Sequence, residues 1–192
     1  MKSLYTPLTE DTVRSLKLGE VVNLTGPIIT GRDEVHIRAL EYLDEGKDVP
    51  GCIHGAALYH CGPIMKQTSE GKWAVVAAGP TTSARMNKLE PRFIREFGIR
   101  AIIGKGGMSP EVAAAMKEVG CVYLAATGGV AVSYAEGLSR VTGSEWNDLG
   151  MPEALWKFDA RSLGPLIVAI DAQGNSLYEK VREEVARNMA SD

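Results

Sequence analysis

Apolar and polar positions along this chain follow two rhythms, and the change between them falls near residue 80. Trp73-Ala74-Val75-Val76-Ala77-Ala78 is an unbroken apolar run, the pattern of a buried strand. Just beyond it Met86, Leu89, Phe93, Ile94 and Phe97 fall near helical spacing, and Gly98 marks a stop. Between them lies Gly79-Pro80-Thr81-Thr82-Ser83-Ala84-Arg85, where the Gly-Pro pair closes the strand and Thr81, Thr82 or Ser83 is placed to cap the helix. Such a start aims backbone N–H groups and the positive dipole end at whatever precedes it. Arg85 in the first turn opposes that dipole, so it reads either as a solvated charge or as part of an anion-binding corner.

The rest of the chain reads in order from the same signals. Residues 1–19 are polar, with a short amphipathic piece at Val13-Arg14-Ser15-Leu16. Glu20 to Thr25 predicts a strand stopped by Gly26-Pro27. A helix through His36, Leu40 and Leu43 follows Thr30-Gly31-Arg32-Asp33, with Thr30 or Asp33 as cap candidates. Ala56 to His60 predicts a strand, and residues 64–68 and 72–76 flank Ser69-Glu70-Gly71 as a hairpin. After residue 81 come a strand at 100–103, a helix opened by Ser109-Pro110-Glu111 and ended at Gly120, and a strand at 121–125. Thr127-Gly128-Gly129 precedes another helix-like stretch; then come strands at 154–158 and 166–170, a turn at 171–175 and a helix over 177–189. The pattern is one α/β domain over 1–192, β-rich early and strand–helix–strand in its middle.

Composition narrows the functional classes. A chain of 192 residues suits one well-filled core, and 45% hydrophobic with 23% charged residues is ordinary for a soluble globular protein. A net charge of −3 offers no basic stripe for nucleic acid, and no apolar run approaches a membrane span. The first residues lack the apolar core of a signal peptide, so the cytoplasm is the expected compartment. Cys52, Cys61 and Cys121 are three at wide spacings, unlike a disulfide framework, a zinc site or an iron–sulfur ligand set. The expectation is buried thiols and no metal site in this chain.

Chemistry concentrates at four glycine-bearing strand ends: Thr30-Gly31-Arg32-Asp33, Gly79 to Arg85, Gly104-Lys105-Gly106-Gly107 and Thr127-Gly128-Gly129. Ligands in open α/β sheets gather at such ends. Three of these turns supply a cation, Arg32, Arg85 and Lys105; guanidinium forks grip carboxylates in two places and an ammonium adds a movable charge. Each alone is most simply a surface charge, while three at equivalent turns form a pocket for a small dianion. Lys105 does not sit in a Walker loop, and no dinucleotide fingerprint occurs. His36 lies one helical turn past Arg32 and reads as a local hydrogen bonder. His54 and His60 flank a strand without an evident carboxylate or cysteine partner, and no Ser–His–Asp set assembles.

Gly26-Pro27-Ile28-Ile29-Thr30-Gly31-Arg32-Asp33 with His36 and Arg38, Gly79-Pro80-Thr81-Thr82 with Arg85-Met86, Gly104-Lys105-Gly106-Gly107-Met108, and Gly150-Met151 with Glu153-Ala154 and Trp156 occur in that order across about residues 20–180. Together they resemble the β subunit of iron–sulfur hydro-lyases, the class I fumarases and L(+)-tartrate dehydratases. The resemblance implies a single swivelling β/β/α domain with a mixed sheet, here as a separate chain, covering the active site of an α subunit that carries a [4Fe–4S] cluster. It implies reversible hydration of fumarate to L-malate in an α/β hetero-oligomer, with tartrate dehydration or a non-catalytic dicarboxylate-binding module as alternatives. Carried over by residue, Arg32, Arg85 and Lys105 bind the substrate carboxylates and Thr82 hydrogen-bonds the substrate. Thr81 takes part in proton removal with an aspartate of the α subunit, because a threonine hydroxyl is too weak an acid to be a base alone. Ala84 and Asn87 depart from the glycine and aspartate frequent there.

Overall fold

Strand pairing, not helix packing, sets the frame in the computed structural model, which describes residues 1–189. Its strands are β1 (Lys2–Tyr5), β2 (Val21–Thr30), β3 (Ala57–Tyr59), β4 (Ile64–Gln67), β5 (Trp73–Ala77), β6 (Ala101–Gly104), β7 (Val122–Ala125), β8 (Arg140–Glu145) and β9 (Leu155–Ile170). Its helices are α1 (Glu10–Arg14), α2 (Asp33–Asp44), α3 (Glu90–Phe97), α4 (Pro110–Val119), α5 (Ala131–Gly137) and α6 (Leu177–Met189). Seven strands join in the order β1-β2-β3-β6-β7-β9-β8, and β9 also pairs with β2, which curls the mixed sheet into a partly closed barrel. Strands β2, β3, β6 and β7 run parallel, so their carboxyl ends lie at one rim.

Two cores lie on the two faces of this sheet, and residue alternation sorts side chains between them. Ala57, Tyr59, Ala101, Ile103, Val122 and Leu124 belong to one cluster with Leu24, Phe158 and Leu166. Leu58, Ile102 and Tyr123 face the other, where Val35, Phe93, Phe97 and Met116 of α2, α3 and α4 cover them. At about 25 cal/mol per Å², sealing side chains of this size supplies roughly 1.5–3 kcal/mol apiece before entropy is counted. Gly98 and Gly120 end α3 and α4 in the left-handed conformation, as their positions in the sequence signalled.

Several sequence expectations are corrected here. The strand expected to stop at Gly26-Pro27 runs on to Thr30 through two register shifts against β9. Gly26 takes φ +112°, and a side chain there would meet the Thr6 carbonyl at 2.6 Å. The two strands expected at 154–158 and 166–170 are one continuous β9, and β1 and β8 are strands that the sequence pattern does not predict. The apolar run at 73–78 is not a fully buried strand: β5 pairs with β4 alone, leaving Trp73 and Val76 about two-fifths exposed. The helix expected after Gly79-Pro80 is split into a short 3-10 turn, Ser83–Met86, and α3, which starts only at Glu90. Among the described residues no helix is long and apolar enough to cross a membrane.

Candidate functional site

The rim formed by the carboxyl ends of the parallel strands is where the glycine-bearing turns meet. Pro80 to Ser83 lies between the ends of β3 and β6 as an extension of the sheet. The Thr81 N–H donates to the His60 carbonyl at 2.7 Å, the Lys105 N–H to the Thr81 carbonyl at 3.2 Å, and the Ser83 N–H to the Lys105 carbonyl at 3.0 Å. Gly104 makes this possible, since a Cβ there would collide with the Ser83 hydroxyl. Thr82 precedes the 3-10 turn without a side-chain capping bond. The expected helix-capping role of this segment is therefore replaced by sheet extension. The Thr81 and Thr82 hydroxyls face no hydrogen-bond partner among the described residues, Thr81 half-buried and Thr82 exposed.

Arg32 leaves β2 and enters α2, and its guanidinium fills the space over Gly62, where a Cβ would sit 2.6 Å from Nη1. Nη2 lies 3.2 Å from Glu153 Oε1, and Glu153 also accepts the Glu34 N–H at 3.3 Å. The Arg32 Nε–H is buried with no acceptor, so the fork keeps donor capacity in hand. Arg85 Nη2 lies 2.8 Å from Asp33 Oδ2. Lys105 makes no ion pair among the described residues, and its stem passes 3.7 Å from the Cβ position of Gly128. These contacts bring Arg32, Arg85, Lys105, Thr81 and Thr82 onto adjoining turns rather than scattering them.

Beneath this rim is a buried polar cluster. His36, His60 and Glu90 have no exposed side-chain surface, and Glu90 Oε2 lies 3.2 Å from His36 Nε2 and 3.1 Å from His60 Nε2. Both contacts are short and fully buried, although neither meets hydrogen-bond geometry. The other ring nitrogens are well held: His36 Nδ1 is 2.6 Å from the Arg32 carbonyl and His60 Nδ1 is 2.9 Å from Ser83 Oγ. Tyr123 donates its hydroxyl to Ser83 Oγ at 3.0 Å.

Protonation in the cluster follows from burial and charge. Burial alone would raise the Glu90 carboxyl, but attraction to His36 and then His60 outweighs it and holds the group down to about 2. Burial opposes charge on His36, yet Glu90 lifts it above the ordinary imidazole value. For His60 burial wins, helped by repulsion from His36, and its value falls. Burial and mutual charge thus push the two imidazoles in opposite directions around one carboxylate.

Sequence reading left His60 without a partner and gave His36 only a local role. Glu90 partners both, from a helix that begins thirty positions after His60, a separation that no spacing rule connects. Asp33 and Glu153 stand in the quoted motifs, yet nothing local marks them as counterions of Arg85 and Arg32. Neither Thr30 nor Asp33 caps α2: Arg32 holds that position without a side-chain bond, and Thr30 Oγ1 accepts the Trp156 N–H at 3.3 Å.

All three cysteines are free thiols, Cys61 and Cys121 buried and Cys52 partly so. Burial pushes Cys61 up to about 12 and Cys121 well above its usual range. No cysteine is grouped with other ligating side chains among the described residues, so the thiols do not assemble the ligand set of an iron–sulfur cluster.

Cations and hydroxyls without partners among the described residues, at the carboxyl ends of parallel strands in a mixed α/β domain, make this rim a candidate anion-binding site. The sequence matches the Fumarase C-terminus family over residues 2–181, and the chain belongs to that family. It is 45% identical over 186 residues to a Methanocaldococcus jannaschii protein provisionally named L(+)-tartrate dehydratase subunit beta, covering 96% of this chain and 95% of that one. It is 36% identical over 176 residues to the L(+)-tartrate dehydratase subunit beta of Escherichia coli K12, covering 92% and 86%. A provisionally named class I fumarate hydratase of Geobacillus stearothermophilus is 41% identical over 181 residues, 94% of this chain but 34% of that protein.

Proposed function

We propose that this chain is the β subunit of a hydro-lyase that interconverts fumarate and L-malate together with an α subunit. The observation that carries the reading is the convergence of Arg32, Arg85 and Lys105 on adjoining turns beside two unpartnered threonine hydroxyls. The names of its relatives support both the reaction class and the division into subunits.

In this reading the two carboxylates of a four-carbon diacid are gripped from opposite ends by the guanidinium forks and by Lys105. Arg32 and Arg85 each stand beside one carboxylate of the protein, Glu153 and Asp33, which hold the forks in place without neutralising the whole set. Charge-assisted bonds of this kind orient a planar diacid and fix which carbon faces the threonines. Thr81 passes the proton from the carbon next to a carboxylate to a stronger base supplied by the partner, and Thr82 hydrogen-bonds the substrate. A [4Fe–4S] cluster is proposed to reside in the α subunit, because the thiols here do not suit it.

A second reading, dehydration of L(+)-tartrate to oxaloacetate, is favoured by the two relatives named for that activity. The α/β complex, assayed without oxygen on malate, fumarate and tartrate, separates the two. Turnover of malate and fumarate supports the leading reading; turnover of tartrate alone replaces it. A β chain that binds dicarboxylates yet copurifies with no α subunit would make it a binding module instead.

A further inference from the structure

Glu90 sits where three separate pieces of the chain meet: the start of α3, the first turns of α2 through His36, and the end of β3 through His60. Each imidazole touches Glu90 with one ring nitrogen and reaches the rim with the other. His36 Nδ1 holds the backbone carbonyl of Arg32 at 2.6 Å, directly behind one cation of the candidate site. His60 Nδ1 holds Ser83 Oγ at 2.9 Å; Ser83 follows Thr81 and Thr82 and donates its N–H to the Lys105 carbonyl. A single buried carboxylate therefore stands, through one imidazole on each side, behind both halves of the rim.

We propose that Glu90, His36 and His60 are positioning residues, which set the spacing between Arg32 and the Thr81–Thr82–Lys105 group. The inference rests on the reading of that rim as the substrate site. A purely structural cluster would be cheaper to build from apolar side chains, since burying an ion pair returns little net stability. Its geometry gains a purpose if what matters is distance: the carboxylate fixes two rings, and each ring fixes one backbone turn by a short bond. Small displacements at reacting groups are costly to rate. The same three donors lie within 4.8 Å of one another and could invite a divalent cation. Against that, the cluster is sealed on all sides and offers a single anionic donor, so a divalent ion would leave the pocket charged.

The test uses the α/β complex carrying Ser83→Ala, His36→Leu, His36→Asn, or Ser83→Ala with His36→Leu. Asparagine places an N–H near the Nδ1 position and so keeps the bond to the Arg32 carbonyl. Ser83→Ala and His36→Leu should each lower kcat/KM about tenfold to a hundredfold, mainly in kcat. His36→Asn should recover most of the loss, and the double variant should lose less than the product of the singles. Ser83→Ala leaves the buried ion pair in place and serves if the histidine variants fail to fold. Melting temperatures that fall while kcat/KM of the folded complex stays at the wild-type value would overturn the proposal, as would strictly multiplicative losses. One equivalent of zinc per β chain, removed together with activity by a chelator, would overturn it in favour of a metal site. Arg32→Ala run in parallel separates the two levels: full activity in that variant sinks the site itself, whereas an inactive Arg32→Ala beside wild-type network variants sinks only this inference.

Discussion

Arg85 Nη2 lies 2.8 Å from Asp33 Oδ2, and that ion pair ties the turn after β5 to the first turn of α2. With Arg85 about half exposed, the pair contributes no more than about 1 kcal/mol to folding. Asp33→Asn should therefore shift the urea midpoint of the chain only slightly. Activity of the α/β complex should respond far more, because the variant frees the guanidinium from its aim. A large stability loss with unchanged kcat/KM would assign the pair to the fold alone.

Gly62 leaves the space that the Arg32 guanidinium fills. A Cβ at this position would sit 2.6 Å from Arg32 Nη1 and 2.7 Å from the Pro152 carbonyl. The side chain can move but the Pro152 backbone cannot, so Gly62→Ala should push Arg32 off its pairing with Glu153. Steady-state kinetics should show a raised KM for the dicarboxylate, and overpacking should cost stability on the order of 1–3 kcal/mol by chemical denaturation. An unaltered KM would mean that Arg32 does not bind substrate from this position.

The His36–Glu90–His60 cluster gives folding a pH dependence whose sign can be worked out. Both histidines have an ordinary value of 6.5. His36 is raised in the folded chain, so its contribution is complete below 6.5 and is lost as pH rises through the raised value. His60 is lowered, so the unfolded chain takes up the extra proton below 6.5 and stability falls on the acid side. Glu90, held down to about 2, adds stability that is complete above the ordinary carboxylate value of 4.5 and is lost progressively as pH falls from there to about 2. His36 also faces the Asp33 carboxylate, which adds to its rise. Denaturation measured from pH 5 to 9 should peak near 6.5. His36→Asn should remove the alkaline decline and His60→Asn the acid one; a flat profile in the wild type would contradict the assignment of charges.

Glu90→Gln removes the carboxylate that raises His36, in a cluster with no exposed side-chain surface. Breaking a buried pair from one side costs about 3–5 kcal/mol. Equilibrium unfolding of the variant near pH 7 should show a loss of that order, and a loss under about 1 kcal/mol would mean that the pair is not ionised.

Much of this was legible in the sequence, for identifiable reasons. Gly98, Gly120 and Ser109-Pro110 mark helix ends by local chemistry alone, and the structure has those ends. Arg32 and Lys105 are legible because each stands beside a glycine at the end of an apolar strand, and Arg85 because it lies in the turn that Gly79-Pro80 opens. What escaped depended on distant parts of the chain. Gly26-Pro27 breaks most strands, yet here β2 passes through it because Thr6 and β9 hold the bulge on either side. Thr81 to Ser83 looked like a helix start and is instead a sheet extension, because the ends of β3 and β6 offer backbone partners that local pattern cannot reveal. Glu90 was invisible as a partner of His60 for the same reason: only the fold brings α3 under the rim.

The central claim is that Arg32, Arg85 and Lys105 grip one small diacid at a site that the partner subunit completes. Its most direct test is kcat/KM of the α/β complex on malate and fumarate with each cation replaced in turn by alanine. Each replacement should lower kcat/KM by a factor on the order of a hundred to a thousand, as removal of a charged partner does, while the complex stays assembled. An assembled complex lacking any one of the three cations that still turns over substrate at the wild-type rate would contradict it.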